Sequence, residues 1–166
     1  PHQKETQMQV QLKVNGKQLE LLAAPNSTLL EILRNNGHVE VKCGCEKGDC
    51  GACAVILDGE AVDSCLTLAW IADGSEVQTV KGIGTEATPH PLQTAFIEEG
   101  SVQCGYCIPG IIVAAKVLLD ENPDPTDSDI RVALSGNLCR CTGYTRIFSA
   151  IHKAAQVMRE GAQKNG

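Results

Sequence analysis

The chain has 166 residues, of which 43% are hydrophobic, 20% are charged and only 3% are aromatic. This is the composition of an ordinary globular protein with room for one large domain or two small ones, and its core must be built from aliphatic side chains. The formal net charge is −6 and no run of Lys or Arg exceeds two residues, which disfavours nucleic acid and anionic membranes as partners because both bind basic patches.

Cysteine is the outlier in this composition, with nine residues. The N-terminal segment PHQKETQ lacks the apolar stretch of a secretory signal, and no apolar run reaches the length of a membrane span. We therefore expect a cytoplasmic chain without membrane insertion. Thiols stay reduced there, and clustered cysteines bind metal more often than they form disulfides.

Alternating apolar residues predict a β-hairpin at the start of the chain. The alternation is interrupted by the pair Asn15-Gly16, which is typical of a two-residue turn. The alternating positions are Met8, Val10, Leu12 and Val14, then Leu19 and Leu21. The next segment, STLLEILRNNG, predicts a helix, with Thr28 and Glu31 spaced for a capping box.

A second hairpin is predicted after a loop rich in cysteine. The segments AVIL and EAV flank the turn Asp58-Gly59. The segment CLTLAWI then predicts a short helical stretch in which we expect Trp70 to be part of the core, and SEVQTV predicts a closing strand. Two hairpins, one crossing helix and a closing strand indicate a small mixed sheet of the β-grasp type.

The pattern changes to helices beyond residue 81. The segment KGIGTEATPHP, residues 81–91, is rich in Gly, Pro and Thr and predicts an interdomain linker. Four helices are predicted after it, and they indicate a small four-helix bundle. Their segments are LQTAFIEE, the almost wholly apolar GIIVAAKVLLDEN, TDSDIRVAL and a last helix from about Thr145. The predicted fold class is therefore α+β, with domains at residues 1–82 and 83–166.

The first set of clustered cysteines has the spacing C-x4-C-x2-C-x11-C, which matches the plant-type pattern of a [2Fe–2S] cluster. Each iron of such a cluster needs two thiolates, and a loop wraps it only where the backbone turns sharply. We expect Gly44, Gly48 and Gly51 to supply those turns through positive φ angles. The four cysteines are Cys45, Cys50, Cys53 and Cys65.

The second set has the spacing C-x2-C-x31-C-x-C, formed by Cys104, Cys107, Cys139 and Cys141. Each pair precedes a predicted helix, where the N-terminal amides favour thiolates. Residues two apart in an extended segment face the same side, so the last pair can reach one site together. Zinc is the alternative metal at both sites. It is less strongly disfavoured at the second site, because the spacing C-x-C is less diagnostic of an iron–sulfur cluster than the spacing of the first set.

Four motifs, GCEKGDCGAC, DGEAVDSC, VQCGYCIPG and SGNLCRCTGY, closely resemble those of the iron–sulfur subunits of molybdenum hydroxylases, the xanthine dehydrogenase family. The resemblance extends from about Gln9 to Ala155. It implies an N-terminal β-grasp domain of the plant-type ferredoxin kind and a C-terminal four-helix bundle, each with one [2Fe–2S] cluster. It also implies a large subunit that holds a molybdopterin cofactor and commonly a separate, FAD-binding medium subunit.

The resemblance assigns roles to individual residues. It makes the first cysteine set the ligands of the N-terminal cluster and the second set those of the helical cluster. It also places Gln103 and Cys141 near the pterin. The chain departs from the family at Ile108, where threonine is usual, and at Cys43, which is an extra cysteine. We expect Cys43 to be a buried or partly buried free thiol.

By this resemblance the chain is an electron-transfer subunit of an oxidoreductase and is not catalytic alone. Substrate is hydroxylated at molybdenum on another chain, and electrons leave through two clusters to FAD or another acceptor. The expected substrate is an N-heterocycle such as a purine or nicotinate. Aldehydes, aromatic acyl thioesters and carbon monoxide are the alternatives within the family.

Two other functional classes compete with this interpretation. One is a zinc-stabilised interaction module without redox function, which would be colourless where a [2Fe–2S] protein is red-brown. The other is a free-standing ferredoxin, which is disfavoured because a soluble carrier has little use for a helical second domain with its own cluster.

Overall fold

The computed structural model describes residues 7–164, so the predictions made from the first six residues of PHQKETQ lie outside the described part of the chain. The five strands of the described residues all come from the first half of the chain, and the longer helices come from the second. The strands are β1 (Met8–Val14), β2 (Lys17–Ala23), β3 (Ala54–Leu57), β4 (Glu60–Asp63) and β5 (Glu76–Gln78). The helices are α1 (Leu29–Asn35), α2 (Val80–Ile83), α3 (Pro91–Glu98), α4 (Ile108–Glu121), α5 (Asp127–Ala133) and α6 (Thr145–Lys164).

The strands form one mixed sheet in the order β2-β1-β5-β3-β4. Both predicted hairpins are present, with β1 antiparallel to β2 and β3 antiparallel to β4. The closing strand β5 lies between them, parallel to β1 and antiparallel to β3. Asn15 and Gly16 have φ angles of 49° and 82°, as the primed turn of a two-residue hairpin requires.

Helix α1 packs on this sheet through Leu29, Leu30, Ile32 and Leu33, all buried. The predicted capping box is present, because the Thr28 hydroxyl accepts from the Glu31 amide at 3.2 Å and the Glu31 carboxylate accepts from the Thr28 amide at 2.8 Å. Sheet and helix share one aliphatic core. The predicted β-grasp arrangement is therefore confirmed.

Trp70 is not part of the core, and that prediction was wrong. The segment Ala69–Ala72 is a 3₁₀ helix, in which side chains three residues apart lie on the same face. Ala69 and Ala72 both face the core. Trp70 consequently faces outward and is 47% exposed.

The helices α3 to α6 enclose a second core, which is largely aliphatic apart from Phe96, and α4 is buried on all sides from Gly110 to Ala115. The predicted linker is not a plain spacer, because α2 occupies its first residues. Val80 and Ile83 of α2 pack against the helical core, and Gln93 Nε2 donates to the carbonyl oxygens of Val80 and Gly84 at 3.2 Å. The domain boundary near residue 82 stays a prediction. Within residues 7–164, no helix combines the length and apolar character needed to cross a membrane.

Candidate functional site

The first candidate site is the loop between α1 and β3, which carries Cys43 and three of the four cysteines predicted to bind the N-terminal cluster. The loop turns at Glu46, Gly48 and Gly51, whose φ angles are 55°, 80° and 65°. Gly44 is not among the residues with a positive φ angle, so its expected role was wrong. A Cβ at residue 44 would lie 2.7 Å from the Cys50 sulfur, and glycine is needed there because of space.

Backbone amides inside this loop point at the Cys45 sulfur. The amides of Lys47 and Asp49 both donate to Cys45 Sγ at 3.3 Å. These bonds, with the Lys47 amide foremost and the Cys50 thiol as a further donor, lower the pKa of Cys45 to about 7. The loop therefore favours the thiolate at Cys45 before any metal binds, and thiolate is the form that ligates metal.

Cys53 and Cys65 form the inner pair of the same site, and both are buried. The Ser64 hydroxyl donates to the Cys53 carbonyl at 2.7 Å and ties the end of β4 to the start of β3. Burial, together with the neighbouring Cys65 thiol, raises the pKa of Cys53 to about 12. Its ionisation therefore requires the positive charge of a metal.

The second candidate site is formed where two cysteine pairs precede α4 and α6, as the sequence predicted. Cys141 Sγ lies 3.6 Å from Cys104 Sγ at the exposed end of the site. Cys107 and Cys139 form the inner pair, and burial raises the pKa of Cys107 to about 12. Burial by itself would raise the pKa of Cys139. Hydrogen bonds to its sulfur, first among them one with the Thr142 hydroxyl at 3.1 Å, outweigh burial and lower this pKa.

At both sites the sulfurs come in two pairs. A two-iron cluster needs this donor set, because each iron binds two thiolates. Tetrahedral zinc requires four ligands around a single point. Among the described residues, no three His, Cys, Asp or Glu side chains are gathered around one such point, and all nine cysteines are free thiols. The paired arrangement fits two [2Fe–2S] clusters.

The surface beside the helical site is exposed and partly apolar. Gln103 and Cys141, the two residues expected near the pterin, are both exposed next to Cys104. Val102 and Leu138 on the same loops are 43% and 57% exposed. Apolar side chains that border exposed ligands are typical of a surface that a partner covers.

The two candidate sites are joined by hydrogen bonds to the backbone carbonyls of the N-terminal loop. The Leu138 amide donates to the Cys50 carbonyl oxygen at 3.0 Å, and Asn137 Nδ2 donates to the Gly51 carbonyl oxygen at 3.2 Å. The Tyr106 hydroxyl donates to the Cys43 carbonyl oxygen. Residues neighbouring the cysteines of one site are thus bonded to the loop of the other.

Sequence reasoning missed Asn137, Tyr106 and Tyr144 as residues of these sites. They carry no metal-ligand chemistry. The contacts of Asn137 and Tyr106 join positions far apart in the chain, whereas Tyr144 bonds within its own loop. Asn137 and Tyr144 both lie in the motif SGNLCRCTGY, and this was the signal available for Tyr144. Its hydroxyl accepts the Cys139 amide at 2.7 Å and donates to the Asn137 carbonyl oxygen at 2.9 Å.

Cys43 is the partly buried free thiol that the sequence predicted. Its thiol donates to the Glu46 carboxylate at 2.7 Å, and this bond raises the pKa of Cys43. A thiol held in its protonated form by a carboxylate is poorly suited to bind metal.

Two family models match the chain and together cover most of it. The model described as "2Fe-2S iron-sulfur cluster binding domain" matches residues 12–81. The model described as "[2Fe-2S] binding domain" matches residues 79–152.

Individual proteins are similar over nearly the whole chain. The nicotinate dehydrogenase small FeS subunit of Eubacterium barkeri is 49% identical over 148 residues, which are 89% of this chain and 94% of that protein. The aldehyde oxidoreductase of Megalodesulfovibrio gigas is 44% identical over 151 residues, which are 89% of this chain but only 17% of that longer protein. The crystal structure of quinoline 2-oxidoreductase from Pseudomonas putida 86 superposes with a TM-score of 0.88 at 39% identity, covering 93% of this chain and 98% of that one.

Proposed function

Since the chain belongs to the iron–sulfur subunits of the xanthine dehydrogenase family, we propose that it carries electrons within a molybdenum hydroxylase. Electrons reach it from a molybdopterin centre on a larger partner subunit and leave for FAD or another acceptor. The chain is then one subunit of an oxidoreductase, and it does not turn over substrate alone.

The observation that carries this proposal is the contact between two four-thiol sites in one chain. Each site offers two pairs of sulfurs, and the Leu138 amide next to Cys139 donates to the Cys50 carbonyl at 3.0 Å. Two sites in direct contact suit a relay of single electrons. A free-standing carrier needs only one site of this kind.

The eight cysteines hold two [2Fe–2S] clusters in this proposal, and each cluster supplies reversible storage of one electron. The N-terminal cluster is held by Cys45, Cys50, Cys53 and Cys65, and the helical cluster by Cys104, Cys107, Cys139 and Cys141. The amides of Lys47 and Asp49 that donate to the Cys45 sulfur both orient that ligand and favour its thiolate.

Gln103 and Cys141 face the pterin, so the helical site receives electrons first. Both residues are exposed, and the amide of Gln103 can both donate and accept hydrogen bonds at a pterin edge. The N-terminal site, formed by Cys45, Cys50, Cys53 and Cys65, would then pass electrons on to the acceptor.

The partners follow from this order. The large subunit holds the molybdopterin cofactor and covers the exposed surface around Gln103, and an FAD-binding medium subunit supplies the acceptor. Eight thiols must stay reduced until both clusters are assembled, which suits the cytoplasm.

An N-heterocycle such as nicotinate is the proposed substrate class, and likeness to a nicotinate dehydrogenase subunit and to quinoline 2-oxidoreductase supports it. An aldehyde is the second candidate, because an aldehyde oxidoreductase is nearly as similar at 44% identity. Turnover of the complete complex with nicotinate and with an aromatic aldehyde distinguishes the two, since the substrate is chosen in the molybdenum subunit.

Rapid-freeze EPR of the complex mixed with substrate tests the electron-transfer function. We expect Gln103→Ala to slow reduction of both clusters while iron content stays unchanged. Gln156→Ala, on the exposed face of α6 where Gln156 bonds to Glu160, is the matched control and should behave like the natural chain. A kinetically silent Gln103→Ala, with Mo(V) coupled magnetically to the N-terminal cluster, would show that the proposed order is wrong.

A further inference from the structure

Tyr144 lies immediately before α6, and its hydroxyl is bonded on both sides to one short segment of backbone. It donates to the Asn137 carbonyl oxygen at 2.9 Å and accepts the Cys139 amide at 2.7 Å. The phenol therefore uses its donor and an acceptor position to bridge the two ends of the segment 137–139.

The backbone of Tyr144 is held in a conformation that its side chain disfavours. Its φ angle is 66°, following Gly143 at 63°. A residue with a Cβ rarely adopts this left-handed region, and it keeps this conformation only where the surrounding structure holds it. This conformation places the phenol beneath the segment 137–139.

The bridged segment belongs to both candidate sites. Cys139 is one of the four helical thiols, whereas the Leu138 amide donates to the Cys50 carbonyl at 3.0 Å. The buried Asn137 side chain donates to the Gly51 carbonyl at 3.2 Å. A shift of this segment would move a ligand of one cluster and break the contact with the loop of the other.

We propose that Tyr144 is a positioning residue for electron transfer between the two clusters. Its hydroxyl holds the segment 137–139 in the one conformation that presents Cys139 to the helical cluster and the Leu138 amide to the N-terminal loop. The phenol itself neither gains nor loses an electron. This inference rests on the proposed function and assigns to it a residue that is not a metal ligand.

The variant Tyr144→Phe tests this role, because it removes the hydroxyl and keeps the ring and the backbone conformation. We expect iron to leave the helical cluster for a chelator about tenfold faster in the purified complex, as is typical when a group that orients a metal ligand is lost. The N-terminal cluster serves as the internal reference and should release iron at the natural rate. We also expect the helical cluster's EPR signal to change and the magnetic interaction between the two reduced clusters to weaken.

Ile151→Val is the control for core packing, since Ile151 is fully buried in the same helix α6 and its aliphatic side chain cannot hydrogen-bond to the segment 137–139. A merely structural role for Tyr144 predicts that both variants lower the unfolding temperature and leave the EPR signals unchanged, and this result would overturn the proposal. Equal iron loss from both clusters, or failure of Tyr144→Phe to fold as judged by circular dichroism, would overturn it too. A folded variant that holds only the N-terminal cluster supports it. Failure of the proposed function can be told apart from failure of this proposal. In that case the chain without any substitution would lack the clusters, or substrate would not reduce them.

Discussion

Cys43 and Cys45 are only two residues apart, and their surroundings favour opposite protonation states. The Glu46 carboxylate accepts a hydrogen bond from the Cys43 thiol, and this bond raises the pKa of Cys43. The amides of Lys47 and Asp49 donate hydrogen bonds to the Cys45 sulfur, and these bonds lower the pKa of Cys45 to about 7. Spacing had already selected Cys45 as the first ligand of a plant-type pattern. Local hydrogen bonding supports the same choice.

We therefore expect Cys43→Ser to leave both clusters intact and Cys45→Ser to disrupt the N-terminal cluster alone. The physical reason is that the loop turns and donates its amides around Cys45 and not around Cys43. Iron analysis and EPR of the reduced chain measure the outcome. If Cys43→Ser lost the cluster and Cys45→Ser kept it, the proposed register of ligands would be shifted by two residues.

At the scale of elements, the decisive contact is between the N-terminal cysteine loop and the start of α4. A Cβ at Gly110 would lie 2.1 Å from the Gly51 carbonyl oxygen, and one at Gly51 would lie 2.4 Å from both Asn137 Nδ2 and the Gly136 carbonyl oxygen. The N-terminal cysteine loop approaches the start of α4 and the segment 136–137 so closely that only glycine fits at positions 51 and 110. Elements of both cores meet at this contact.

Gly51→Ala should therefore destabilise the chain by more than the strain of its backbone alone. Its φ angle of 65° costs a residue with a Cβ roughly 1–2 kcal/mol, and the collision with Asn137 adds to that cost. Thermal unfolding and the magnetic interaction between the reduced clusters measure the effect.

Gly16→Ala is the control for Gly51→Ala, because Gly16 also has a positive φ angle, 82°, but a Cβ at this position would meet no other side chain or backbone segment within 4 Å. It should show the strain without the collision and leave the interaction between the clusters unchanged. Equal effects of the two variants would mean that the contact between the loops contributes nothing.

At the scale of the whole molecule, each aliphatic core carries one thiol site near its edge, and the sites face each other. The first core is built from the sheet and α1, and the second from α3 to α6. The buried thiols Cys53 and Cys107, whose pKa values burial raises to about 12, need metal charge to ionise. The thiol site at the edge of each core therefore becomes a complete set of four thiolates only when metal is bound.

The purified chain should contain about four irons and four acid-labile sulfides, because two [2Fe–2S] clusters each hold two of both. Two distinct EPR signals should appear on reduction, and the solution should be red-brown. Stoichiometric zinc in a colourless protein would support the interaction module instead. A single cluster would contradict the assignment of the second thiol set.

Much of this organisation was predictable because it depends on residues close in sequence. The hairpin turn Asn15-Gly16 and the capping box of Thr28 and Glu31 follow from local backbone and hydrogen-bonding preferences. The two cysteine sets are recognisable for the same reason, since loop spacing alone limits which metal centre the thiols can reach. Sequence by itself therefore determined the fold class, the cofactor type and the family.

Only the tertiary structure decided which parts meet. The outward position of Trp70, the pairing of Cys104 with Cys141, and the bonds from Asn137 and Leu138 to the N-terminal loop all depend on how separate elements pack. Tyr144 bonds locally to the segment 137–139, and its proposed role depends on the tertiary contact of that segment with the other site. The bond from Asn137 to Gly51 spans 86 positions, and the bond from Leu138 to Cys50 spans still more. No local sequence pattern encodes such contacts, because they depend on how the two cores pack.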